Sequence, residues 1–152
     1  MTDYLNKKEF GKIFAPLQTK THIRVLKRVD KLPVLLIHTV LRLAALDFIK
    51  YILVSDNEIK TSNETKEKRL KIPITEEGHL TATGICIVYH LDYNIIDFDE
   101  INSPMKGNGQ KMVECVLKDF PNDWQAGIFM DWSGGFWDKM KEKYPTINWM
   151  DY

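Results

Sequence analysis

The chain has 152 residues with no formal net charge at neutral pH, 44% hydrophobic residues and two cysteines. That length suits one domain with a core of its own, and two cysteines cannot make a disulfide framework. The start, MTDYLNKKEF, lacks the basic segment followed by an apolar run that marks a secretory leader, so a cytoplasmic protein is expected.

In chain order, residues 5–16 predict a short helix with Leu5, Phe10, Ile13 and Phe14 as apolar contacts and Pro16 as its end. Residues 21–28 predict a strand, since Ile23 and Val25 alternate with polar neighbours. From Pro33 to Val54 the chain is most apolar, and Leu36, Ile37, Val40, Leu41, Ala44, Phe48 and Ile52 keep helical spacing. His38, Arg42, Asp47 and Lys50 interrupt that run, which excludes a membrane span and favours a buried helix. Residues 56–69 are charged and rich in turn formers and predict a loop; Leu70–Thr75 follows as a strand candidate.

The central sheet is expected at residues 79–90 and 95–102. Strict alternation in the second strand sets Ile95, Asp97, Asp99 and Ile101 on one face and Ile96, Phe98, Glu100 and Asn102 on the other. Next, SPMKGNGQKMVECVLKDF places Gly107 and Gly109 directly before an amphipathic helix, with Met112, Val113, Val116, Leu117 and Phe120 on its apolar face. Glycines at a helix start let the backbone approach an anion, and the first-turn N–H groups have no intrahelical partners. A phosphate or pyrophosphate fits such a place, although a plain glycine turn would read the same. Residues 124–132 predict a further strand. Gly134 and Gly135 open a last helix with Phe136, Trp137, Met140 and Tyr144 along one stripe, closed by Pro145. Residues 147–152, INWMDY, either complete the sheet or pair with another subunit.

Residues 79–152 resemble the C-terminal part of a GNAT-type N-acetyltransferase. Gly107 and Gly109 match the small positions of the family's [Q/R]-x-x-G-x-[G/A] motif, and Phe136-Trp137-Asp138-Lys139-Met140 resembles its F-Y-[E/D]-K-L pattern. Pro104 stands at the Gln/Arg position, and Trp137 stands where many members carry a tyrosine that protonates the leaving thiolate. The resemblance implies an α/β (α+β) domain, a mixed and mostly antiparallel sheet flanked by helices, with residues 1–78 as the variable acceptor side and 79–152 as the acetyl-CoA part. It implies acetyl-CoA as cosubstrate, an amine acceptor, and direct transfer of the acetyl group. Ile101, Met105, Lys106, Gly107, Asn108, Gly109, Gln110, Lys111 and Trp137 would lie at the cofactor, and backbone N–H groups from Phe98 to Ile101 would polarise the thioester carbonyl.

An amine with a pKa near about 10.4 must lose a proton before it attacks, so a base is needed. Glu100 is the first choice, with Asp97 and Asp99 beside it. Indole N–H cannot deliver a proton at neutral pH, which leaves Ser133, Tyr144 or water to protonate the thiolate. Cys86 and Cys115 lie in apolar patterns without metal spacing, and His22, His38, His79 and His90 show none either, so no metal is expected. Basic residues gather in 1–50 and acidic ones in 87–152, but the bases are scattered without interleaved aromatics, which argues against nucleic acid as a partner. The alternative to catalysis is a member of the same fold that binds coenzyme A or another protein without transferring acetyl.

Overall fold

A computed structural model describes residues 3–64, 82–129, 131 and 134–150. β1 (Tyr4–Asn6) pairs with β3 (Lys31–Pro33) as a separate antiparallel two-stranded sheet. Between them lie α1 (Lys7–Phe14), a 3-10 turn (Ala15–Thr19) and β2 (His22–Val25). α1 starts where it does because Asn6 and Glu9 form a capping box. The Asn6 carboxamide oxygen accepts from Glu9 N–H at 2.9 Å, and Asn6 N–H donates to the Glu9 carboxylate at 3.0 Å. Pro16 falls in the first turn of the 3-10 segment, so the helix tightens there rather than ending outright.

α2 (Val34–Ala44) ends well short of Val54, and residues 51–54 form β4 (Tyr51–Val54), a strand inside the main sheet. The single long helix expected here is therefore corrected. Lys20 stops it, donating through Nζ to the carbonyls of Ala44 at 2.6 Å and Leu46 at 2.8 Å, where a helix leaves acceptors unpaired. The run Tyr-Ile-Leu-Val then pairs in parallel with β2, burying Ile52 and Val54.

The polar stretch expected as a loop contains β5 (Glu58–Ser62), which lies between β4 and β6 (Gly84–His90). Only Ile59 is a buried apolar side chain in it. Thr61, also buried, is satisfied by Ile85, donating from Oγ1 to its carbonyl at 3.2 Å and accepting from its N–H at 2.8 Å. Charge therefore hid a strand whose inward face is one isoleucine and one threonine. The candidate strand Leu70–Thr75 lies outside the described residues.

The main sheet has six strands in the order β2-β4-β5-β6-β7-β8, with β7 (Ile95–Asn102) and β8 (Gln125–Ile128). Pairing is antiparallel from β4 to β7 and parallel at both ends. The expected class, a mixed and mostly antiparallel sheet flanked by helices, is what the structure has. α3 (Asn108–Leu117) makes the crossover from β7 to its parallel neighbour β8, and α4 (Phe136–Lys143) follows. The core joins Ile23, Ile52, Ile59, Ile85, Ile87, Ile96 and Phe98 of the sheet to buried residues of α2, α3 and α4. The segment 147–152 contributes a bridge only, Trp149 beside Ala126, on the outer edge of β8; its last two residues lie outside those described.

Candidate functional site

β7 changes face partway along. Val88 pairs with Asp97, Ile87 with Phe98 and Cys86 with Glu100, so Asp99 is an extra residue, a β-bulge. Directly paired residues of antiparallel strands share a face. Glu100 therefore lies with Asp97 and Cys86, on the face away from Phe98 and the helices, and Ile101, opposite Ile85, returns to the core side. The expected grouping of Glu100 with Phe98 is corrected: a bulge inserts one residue and inverts every side chain after it.

The face so formed is polar. Register sets Glu58 beside Val88 and Lys60 beside Cys86, and the Cys86 thiol lies 3.8 Å from the Asp99 carboxylate. Burial pushes that thiol well above the ordinary range, and the charges of Glu58 and Asp99 add to the shift. Asp97 is engaged by His90, whose Nε2 is 2.7 Å from its carboxylate.

The β7–β8 ladder runs only from Ile95 opposite Gln125 to Phe98 opposite Ile128, with one further bond from Phe129 N–H to the Phe98 carbonyl at 3.0 Å. Past Phe98, β7 continues through Asn102 with no described β8 residue in register. The two strands are parallel, and the chain enters α3 from their carboxyl end. Ligand sites in α/β sheets form at such places.

The loop into α3 is exposed from Pro104 to Gly107. Gly107 is the N-cap with φ +93°, a conformation that demands glycine, and open space surrounds its missing Cβ. Ser103 Oγ donates to the Met105 carbonyl at 2.9 Å and Lys111 N–H to the Gly107 carbonyl at 3.2 Å, which fixes the turn. Lys106 and Lys111 are exposed, Asn108 and Gln110 are half-buried, and Met105 is 68% exposed.

Gly109 plays a different part. A Cβ on it would lie 3.1 Å from the Phe136 ring, so this glycine lets α3 meet the start of α4. Trp137 is 3% exposed, its ring 4.8 Å from that of Phe98 and 6.4 Å from Trp149, in an aromatic cluster of the core. Tyr144 ends α4 half-buried near Glu114 and Gln110 of α3, and burial, with the Glu114 charge, raises its pKa. It therefore holds its proton more tightly than a free tyrosine. Ser133 lies outside the described residues.

The structure thus brings Glu100, Asp99, Ile101 and the 105–111 loop to one end of the sheet, while Trp137 sits in the core. Among the described residues, two cavities lie away from this end. One of about 520 Å³ is bounded by Tyr4, Lys31 and Tyr93, and one of about 380 Å³ by His38, Asn94 and Trp124; neither includes Glu100 or the loop. Among the described residues no helix is long and apolar enough to cross a membrane, and no cluster of His, Cys, Asp or Glu is arranged to hold a metal. The sequence signal for the bulge was absent, because Asp99 is flanked by ordinary strand residues.

The architecture defines the chain as a mixed α/β protein with a mostly antiparallel six-stranded sheet. It matches no protein-family model, no curated protein and no solved structure.

Proposed function

We propose that the chain is an acetyl-CoA-dependent N-acetyltransferase acting on an amine. The observation that carries this reading is the left-handed Gly107 turn that opens α3 just past the carboxyl end of β7 and its bulge at Asp99. The helix start there offers backbone N–H groups and the positive end of its dipole to a pyrophosphate. Lys106 and Lys111 add exposed positive charge there.

In this reading the Glu100 carboxylate takes the proton from the acceptor ammonium. The freed amine attacks the thioester carbonyl carbon, the carbon–nitrogen bond forms and the carbon–sulfur bond breaks, and coenzyme A leaves as thiolate. With Trp137 in the core and Tyr144 holding its proton tightly, water is the simplest carrier of the second proton, which leaves the nitrogen as the amide forms and ends on that thiolate. A thiol of pKa near about 8.5 leaves acceptably without a dedicated acid. Those same two residues favour the second reading, a protein of this architecture that binds coenzyme A without transfer.

Calorimetric titration with acetyl-CoA and with CoA tests the proposal, alongside the charge-reversed variant Lys106→Glu/Lys111→Glu. These exposed positions leave the packing of Gly109 on Phe136 untouched, so loss of binding reports on the loop rather than on folding. Binding by the wild-type protein, weakened by the variant and followed by release of free thiol in the presence of amines, is the expected result. Binding without thiol release selects the second reading. No binding at millimolar acetyl-CoA overturns both.

A further inference from the structure

Four large hydrophobic side chains are exposed among the described residues. Tyr4 and Tyr93 border the cavity of about 520 Å³, at the end of the sheet where β6 turns into β7. Met105 and Phe129 stand at the other end, just past the carboxyl ends of β7 and β8. Met105 belongs to the loop that the proposed function assigns to the cofactor. Phe129, 64% exposed, has no part in that loop or in the core.

Phe129 follows directly on β8, and its N–H donates to the Phe98 carbonyl at 3.0 Å, so it still runs beside β7, level with Asp99. Ile128, the residue before it, pairs with Phe98 and faces the core. Successive side chains alternate, which turns Phe129 to the other face, and its exposure agrees. That is the face on which the bulge sets Glu100, and the contact with the Cys86 thiol places the Asp99 carboxylate there too. Neighbouring strands lie about 4.8 Å apart, so Phe129 stands one strand spacing from the backbone that carries both carboxylates. The charge beside it is negative. Lys60 lies 3.5 Å from Glu58 and His90 lies 2.7 Å from Asp97, so the positive groups of this region are matched by other acids, and Asp99 and Glu100 add two more.

We infer, resting on the acetyltransferase reading, that the acceptor is a primary amine whose short alkyl chain carries an aromatic ring, and that Phe129 is the residue that selects it. The ammonium lies at Glu100, which takes its proton, with the Asp99 carboxylate beside it. The alkyl chain crosses from β7 to β8, and its ring packs on that of Phe129 edge to face or offset, the arrangements aromatic pairs prefer. A two-carbon chain between nitrogen and ring is of the order of one strand spacing. A carboxylate on the same molecule would meet Asp99 and Glu100 as like charge, so the face takes an amine and rejects an amino acid. The bonds made and broken are those of the transfer already described.

The test is thiol release by the full chain at saturating acetyl-CoA with phenethylamine, n-butylamine and phenylalanine as acceptors. The expected kcat/KM for phenethylamine is at least about tenfold above that for butylamine, the scale on which a fitted apolar contact discriminates. It also exceeds that for phenylalanine, although the amino acid's nitrogen loses its proton more easily. In Phe129→Ala the ratio of phenethylamine to butylamine falls toward one, through KM rather than kcat, and Phe129→Tyr restores it. The position is exposed, so both variants fold. Comparable kcat/KM for phenethylamine and butylamine, a ratio that Phe129→Ala leaves as in wild type, or phenylalanine used as well as phenethylamine each overturns the inference while the transfer reading stands. Thiol release with no amine at all overturns the transfer reading and this inference with it.

Discussion

Arg42 of α2 donates through Nε to the backbone carbonyl of Cys115 in α3 at 2.7 Å. That carbonyl belongs to the last turn of α3, where the helix has no N–H of its own to offer, because Lys118 is already extended. One side chain therefore closes the end of the helix whose start forms the proposed cofactor loop.

Replacing Arg42 by methionine keeps the apolar stem and removes the cap. A hydrogen bond to a charged donor contributes about 1.5–3 kcal/mol, and the buried Nη2, which has no partner among the described residues, offsets part of that. We expect Arg42→Met to lose about 1–2 kcal/mol in urea denaturation, with the exchange of α3 amides rising most in its last turn.

Gly107 and Gly109 separate by mechanism. Gly109→Ala places a methyl 3.1 Å from the Phe136 ring, and the overpacking cost of about 1–3 kcal/mol is offset in part by the roughly 0.5–1 kcal/mol that alanine gains over glycine inside a helix. Phe136→Leu in the same chain should recover much of it. Gly107→Ala meets no neighbour but must adopt φ +93°, at a cost of about 1–2 kcal/mol that Phe136→Leu leaves unchanged. A double-mutant cycle on thermal unfolding distinguishes the two.

Both cysteines are buried and free. Burial pushes the Cys115 thiol up to about 11 from an ordinary 9.0, with Glu114 adding to the shift and Arg42 and Lys118 opposing it. Cys86 and Tyr89 shift in the same direction, both chiefly through burial. For such groups the folded state holds the proton longer than the unfolded state. Their contribution is complete below the unfolded values and is lost as pH rises from about 9 through the folded ones. Denaturation midpoints should therefore fall steeply from about pH 9 upward, less steeply in Cys115→Ala, and iodoacetamide at about pH 8 should label the native thiols far more slowly than the unfolded ones.

For the proposed transfer, Glu100→Gln should lower turnover by about 10²–10⁴-fold while acetyl-CoA affinity is retained, since only the base is removed. Asp97→Asn should change turnover little, because that carboxylate is committed to His90. Steady-state kinetics at saturating acetyl-CoA separate these outcomes from loss of cofactor binding.

Local pattern was enough for α3 and β7. Met112, Val113, Val116 and Leu117 repeat with helical spacing and are buried, and Ile96 and Phe98 alternate as a strand should. The glycine turn before α3 was equally legible, because positive φ restricts the residue that can occupy it. The boundary of α2 was not: Phe48 and Ile52 extend the helical spacing past Ala44, and Lys20 and Thr21, distant in sequence, cap its last carbonyls before residues 51–54 join the sheet. β5 was hidden because its inward threonine is satisfied by a backbone that arrives from β6. The face on which Glu100 stands depended on one inserted residue, Asp99, whose place is set by registry with β6 rather than by anything in its neighbours. Periodicity is a property of one segment and can be read along the chain. Register and the capping of distant ends are properties of pairs, and their free energies exist only when the partner segments meet.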